Sequence, residues 1–251
     1  MVDKRVILFG NTGSGKSTLG NMLIKGKPCC ADGFEIGDGF RGVTSNITIK
    51  HGNGWAVVDC IGLGETKLGT VSNEDAKKRL CEFLKKLRYS YSYIFYVAKK
   101  GRMDEAQAAT WGMFKSYFKG GESNFVVIFT GATQKWIDEH RSHISKEFDG
   151  CTRYIAVDFP PLSDNKDLET IHERMRRESL SNLETRLEAY NLAPVEPYVS
   201  SLSDAGVVSF AAELFAVIGE IAAQVVKVFG SAIVGESPIA WMVSTILGNL
   251  L

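Results

Sequence analysis

The sequence predicts an α/β fold, a mainly parallel six-stranded sheet with one antiparallel edge strand, followed by an α-helical C-terminal extension. Three observations predict it. Short apolar runs alternate with helical patterns, and such alternation requires crossover connections between parallel strands. One pair of runs is joined by a turn too short for a crossover, so that pair is antiparallel. The first run passes into its helix through a loop unusually rich in glycine, "GNTGSGKSTLG".

The first strand is Arg5–Phe9. The loop after it fits G-x-x-x-x-G-K-[ST], with Gly10, Gly15, Lys16 and Ser17 in register. Phosphate oxygens need several backbone N–H donors aimed at one point. The chain must therefore curl tightly with no Cβ in the way, which Gly10, Gly13 and Gly15 allow. The helix that follows, Ser17 to about Lys25, presents its positive dipole end to the same point. Asn11, Thr12, Gly13, Ser14, Gly15, Lys16, Ser17 and Thr18 form the candidate phosphate-binding set. Lys16 is expected on the β- and γ-phosphates and Ser17 Oγ on Mg²⁺.

Next comes "FEIGDGFRGVTSN", rich in glycine and poor in apolar residues, which reads as a switch loop. A hydroxyl there is needed to ligate Mg²⁺ when a γ-phosphate is present. Thr44 is the choice, with Ser45 second. Asn46–Lys50 alternates, His51-Gly52-Asn53-Gly54 turns the chain, and Trp55–Asp59 returns as a strand. A D-x-x-G ends that strand. Asp59 is placed to hold Mg²⁺ through water, and the Gly62 N–H to meet the γ-phosphate. A helix over Asn73–Arg88, a strand over Tyr93–Ala98, a helix over Asp104–Phe118, a strand over Asn124–Thr130, a helix over Trp136–Phe148 and a strand over Arg153–Val157 complete the pattern. A P-loop sheet with a hairpin after its first helix is the layout of small GTPases.

From Arg5 to about Pro161 the chain resembles the immunity-associated GTPases of the GIMAP or avirulence-induced-gene type, relatives of the Toc receptors and septins. The resemblance rests on "GNTGSGKSTLGN", "VTSNI", "DCIGLGET" and "AKKGRMDEAQAATWGMFKSYF". "VVIFTGATQKW" and "CTRYIAVDF" stand where that family has its base-binding strands. The resemblance implies a domain that binds GTP and GDP with Mg²⁺, often self-associating through the nucleotide face.

Guanine is usually read by the carboxylate of N-K-x-D. Here the segment is Thr130-Gly131-Ala132-Thr133-Gln134, with no acid until Asp138. Thr130, Gly131 and Asp158 are the candidate base-side residues, Asp158 being able to supply an acceptor or to serve only as a strand-end turn residue. The residue after D-x-x-G is Leu63, which cannot orient water as a glutamine does, so intrinsic hydrolysis is expected to be slow. Arg41, three residues before Thr44, could act in cis; Arg102 could act across a dimer. These two are the candidate catalytic residues. Slow GTP hydrolysis, a nucleotide-gated scaffold and an ATPase all stay open. The ATPase reading lacks an LSGGQ-like signature and an acid after Asp59, where Cys60 stands.

Composition narrows the partners. The 251 residues carry zero net charge, so no basic face for nucleic acid is expected. Five cysteines without metal-site spacing, and an N-terminus that enters the first strand at once, point to an intracellular, cytoplasmic protein. His140 and His143 share a helix face, but no further ligand converges on them. The expected domains are 1–161, a nucleotide-binding domain; 162–190, an amphipathic helix; 191–204, a linker; and 205–251, a hydrophobic helical extension. The helix Lys166–Tyr190 reads as a docking face or a coiled-coil seam. Three charges in Ala205–Phe229 argue against a simple membrane span. An anchor at the cytosolic face of a membrane and a helix pair folded onto protein both remain open for the extension.

Overall fold

A computed structural model of the chain describes residues 4–36, 47–59, 82–83, 89–101 and 105–197. They lie in the first of the two units into which the chain divides, Met1–Ser200 and Ser201–Leu251. The predicted helix at 73–88, apart from residues 82–83, and the extension at 205–251 lie outside the described residues.

Six strands form one sheet: β1 Lys4–Phe9, β2 Thr48–Gly52, β3 Trp55–Asp59, β4 Tyr93–Lys99, β5 Phe125–Thr130 and β6 Tyr154–Val157. Their order is β2-β3-β1-β4-β5-β6. Among the described strands only β2 runs antiparallel, paired with β3; the other pairings are parallel. The α-helices described in full are α1 Lys16–Lys25, α2 Glu105–Tyr117, α3 Gln134–Glu147 and α4 Lys166–Tyr190.

Successive side chains of a strand face opposite ways, and β1 shows the result. Ile7 and Phe9 join a core with Trp111, Phe114 and Ile137 under α2 and α3. Val6 and Leu8 join the opposite core with Leu19 and Leu23 of α1 and Leu183 and Leu187 of α4. Covering both faces is what a central parallel sheet of near-continuous apolar strands requires. Leu183 and Leu187 are fully buried, so the C-terminal half of α4 docks on the sheet. Full burial of such a side chain is worth ~1.5–3 kcal/mol. The N-terminal half differs, with Leu168 and Ile171 nearly half exposed.

Most boundaries move by one or two residues from the expected ones, and three of the shifts have a visible setting. The hairpin turn is only Asn53-Gly54, both at positive φ (47° and 75°), because Gly52 still pairs with Trp55. α3 starts at Gln134 because Thr133 caps it, its side chain accepting the Trp136 N–H. Asn124 precedes β5 in a single 3₁₀ turn. Its buried side chain donates to the carbonyls of Tyr91, Ser92 and Ala193, tying the segment after α4 to the start of β4.

Among the described residues no helix is long and apolar enough to cross a bilayer.

Candidate functional site

Because β1, β3, β4, β5 and β6 run parallel, their carboxyl ends share one edge of the sheet. The glycine-rich loop leaves β1 there. Gly10 has φ +149°, and a Cβ on it would lie 2.2 Å from the Val97 carbonyl oxygen of β4. Gly13 and Gly15 are also at positive φ, 74° and 92°. Gly15 is the N-cap of α1 and supplies no side-chain cap, so the helix begins with amides that no capping side chain satisfies. Thr12 and Gly13 are exposed at the tip of the loop, and Thr18 is half-buried in the first turn of α1.

Lys16 is buried and folds back on the loop, donating to Gly10 O at 3.1 Å and Asn11 O at 3.0 Å. Ser17 Oγ donates to Asp59 Oδ2 at 2.7 Å. Asp59 ends β3, is fully buried, and has no hydrogen-bond partner on Oδ1. Burial pushes its carboxyl above the usual range; the Lys16 charge and the Ser17 bond oppose this without cancelling it. Asn11 Oδ1 and Ser14 Oγ are likewise buried without a hydrogen-bond partner.

These features fit a phosphate with a divalent cation. A loop with Gly10, Gly13 and Gly15 at positive φ has the curled backbone that cradles an anion, and α1 directs its first amides toward it. A hydroxyl and a carboxylate in contact are hard oxygen donors suited to Mg²⁺. A cation there would also offset the burial that otherwise disfavours the Asp59 carboxylate.

The base-side candidates lie on the neighbouring strands. Thr130 ends β5 and Asp158 follows β6, with Thr130 and Val157 in register. Thr130 Oγ1 donates to Ser14 O at 2.8 Å, joining this side to the phosphate loop. Gly131 takes φ +64°, and Ala132 N donates to Val157 O at 3.3 Å. The Asp158 N–H donates to Ser179 Oγ of α4 at 2.8 Å. Trp136 is half-buried, edge-on to Phe129 and stacked on His140 at 4.9 Å, so it packs at the margin of the core. The fold therefore brings together Gly10–Thr18, Asp59, Thr130, Gly131 and Asp158 along one edge. Arg41, Thr44, Ser45, Gly62, Leu63 and Arg102 lie outside the described residues.

Two supporting residues escape sequence reasoning. Ser179 looks like an ordinary helix-surface serine. Asn21 is fully buried on α1; its Nδ2 donates to Pro28 O and Phe34 O, and its Oδ1 accepts the Phe34 N–H. A polar residue between the apolar Leu19, Met22 and Leu23 was the available signal for Asn21.

No family model matches the chain, and neither does any curated protein. Among solved structures it is similar to a probable GTP-binding protein EngB, at TM-score 0.46 and 13% identity, over 74% of this chain and 97% of that one. It is also similar to Era in complex with MgGDPNP and a piece of 16S ribosomal RNA, at TM-score 0.44 and 18% identity. A third is an Era variant from Aquifex aeolicus bound to GDP and aluminium fluoride, at 0.43 and 18%. Both Era matches cover 70% of this chain and 57% of theirs, so the chain spans little more than half of each Era. The sheet order, the single antiparallel edge strand and the glycine-rich loop at the end of β1 define the fold class as that of a P-loop GTPase domain.

Proposed function

We propose that the chain binds GTP and GDP with Mg²⁺ and hydrolyses GTP slowly, under the control of self-association through the nucleotide face. The observation that carries this reading is the cradle itself. A glycine-rich loop, a buried lysine and the Ser17–Asp59 pair converge at the start of α1. Lys16 would exchange its loop carbonyls for the β- and γ-phosphates, while the amides at the start of α1 orient the phosphate chain. Ser17 would hold Mg²⁺ directly, joined by Thr44 of the switch, and Asp59 through water. When bound, Mg²⁺ supplies neutralising charge to the phosphate oxygens. Gly62 would donate its N–H to the γ-phosphate, and Asp158 would read the base beside Thr130 and Gly131.

The motifs support placing the chain among immunity-associated GTPases. The extension at 205–251 is the candidate contact with a membrane. Leu63 also favours a second reading, a nucleotide-gated scaffold with negligible turnover, because it cannot orient water. Binding and turnover separate these readings. Lys16→Ala should abolish guanine-nucleotide binding in isothermal titration; affinity within a few-fold of the parent would refute the site. Sustained multiple-turnover phosphate release would support the GTPase, and its absence despite tight binding the scaffold.

A further inference from the structure

The segment from Asp158 to Ser163 has little backbone bonding of its own to rely on, since Pro160 and Pro161 lack N–H groups. Its polar backbone groups are met by α4 side chains instead. Ser179 Oγ accepts the Asp158 N–H at 2.8 Å. Arg176 donates to Pro160 O at 3.0 Å and to Pro161 O at 3.1 Å. His172 Nδ1 donates to Pro161 O at 2.9 Å. Glu169 Oε2 accepts the Ser163 N–H at 2.8 Å, and its other oxygen takes the Arg176 guanidinium.

These four residues stand at spacings of three, four and three, a single stripe about 80° wide on a helix turning 100° per residue. Arg176 is 4% exposed, which is rare for an arginine and requires such partners. Lower on the same face the stripe turns apolar, where Leu183 and Leu187 enter the core. One helix face therefore has two tasks. Its apolar half is fixed to the sheet, and its polar half holds a loop that follows β6.

We propose that Glu169, His172, Arg176 and Ser179 are positioning residues for the base-side loop, coupling nucleotide occupancy to the seating of α4. The inference rests on the reading that Asp158 lies against the base. Coupling of this kind is reciprocal: a nucleotide that holds the loop must steady α4, and disturbing the stripe must release nucleotide. Whatever acts on the N-terminal half of α4 thereby gains a route to nucleotide exchange that avoids the phosphate loop.

The test uses the full chain and fluorescent GDP in stopped flow. Ser179→Ala should speed GDP release about five- to tenfold, the loss of one hydrogen bond. Ser179→Thr, which keeps the hydroxyl, should restore the slow rate, and Ser181→Ala on the exposed side should change nothing. The ratio of GTP to ITP affinity should fall in Ser179→Ala, whereas a general loosening of the fold would leave it alone. Hydrogen exchange on the parent protein provides the arm that needs no variant: GDP should slow the amides of 169–180. Unchanged release in Ser179→Ala, with α4 exchange indifferent to GDP, overturns the coupling. If Lys16→Ala abolishes binding in that same protein, the nucleotide reading survives. A parent chain that holds no guanine nucleotide removes both.

Discussion

Replacing Gly10 by alanine separates two costs that the loop geometry keeps distinct. The new Cβ would lie 2.2 Å from Val97 O. An ordinary carbon–oxygen contact is about 3.3–3.6 Å, so roughly 1 Å of overlap must be relieved. The obstacle is backbone of β4, paired with β1 at the centre of the sheet, and it cannot rotate away. Overpacking of this kind costs ~1–3 kcal/mol. Holding alanine at φ +149° adds ~1–3 kcal/mol. The sum, ~2–6 kcal/mol, is a large share of the 5–15 kcal/mol typical of a folded domain. Gly13→Ala is the control. Gly13 has φ +74° with nothing within 4 Å of its Cβ position, so only the left-handed penalty of ~1–2 kcal/mol applies. Urea unfolding followed by circular dichroism reads both variants. Gly10→Ala should also lose nucleotide, because relieving the clash displaces the loop whose amides and Lys16 must converge on the phosphates. Stability of Gly10→Ala within 1 kcal/mol of the parent, or equal to Gly13→Ala, would refute the close-approach reasoning.

If Arg102 acts in trans, specific GTPase activity should rise with protein concentration, and Arg102→Ala should flatten the rise with little change in GTP affinity. If Arg41 acts in cis, activity per molecule should not depend on concentration, and Arg41→Ala alone should lower it. Turnover insensitive to concentration and to both substitutions leaves the scaffold. Asp158→Asn should weaken GTP by about 5–150-fold if one paired base contact worth ~1–3 kcal/mol is lost, with xanthosine triphosphate gaining relative to GTP. An unchanged preference among GTP, xanthosine triphosphate and ATP would move the base contact elsewhere. Tyr154 is buried and donates to Cys151 O, and burial pushes its phenol from 10.0 up to about 12. A group raised on folding stabilises below its unfolded value and loses that contribution as pH climbs through the folded one. Melting temperature should therefore fall more steeply between pH 10 and 12 in the parent than in Tyr154→Phe; parallel curves would remove Tyr154 from the alkaline limb.

Sequence alone determined what depends on neighbours along the chain. The phosphate loop is legible because its glycines and Lys16 must stand at fixed spacing between one strand and one helix. The hairpin is legible from His51-Gly52-Asn53-Gly54, and α4 from its apolar period; the cap that starts α4, Asn165 Oδ1 accepting the Asp167 and Leu168 N–H groups, came from the structure. Strand–helix alternation fixed the parallel class, though not the order of strands. Only the tertiary structure decided which distant groups meet. Ser17 reaches Asp59 across 42 positions, Thr130 reaches Ser14 across 116, and Asp158 reaches Ser179 across 21. The same is true of burial. Leu168 and Ile171 are as apolar as Leu183 and Leu187 in the same helix, yet only the latter pair lies over the sheet. A local pattern states which positions of an element are apolar. Which of them finds a partner depends on where the other strands and loops end, and that is settled by the packing of the whole sheet.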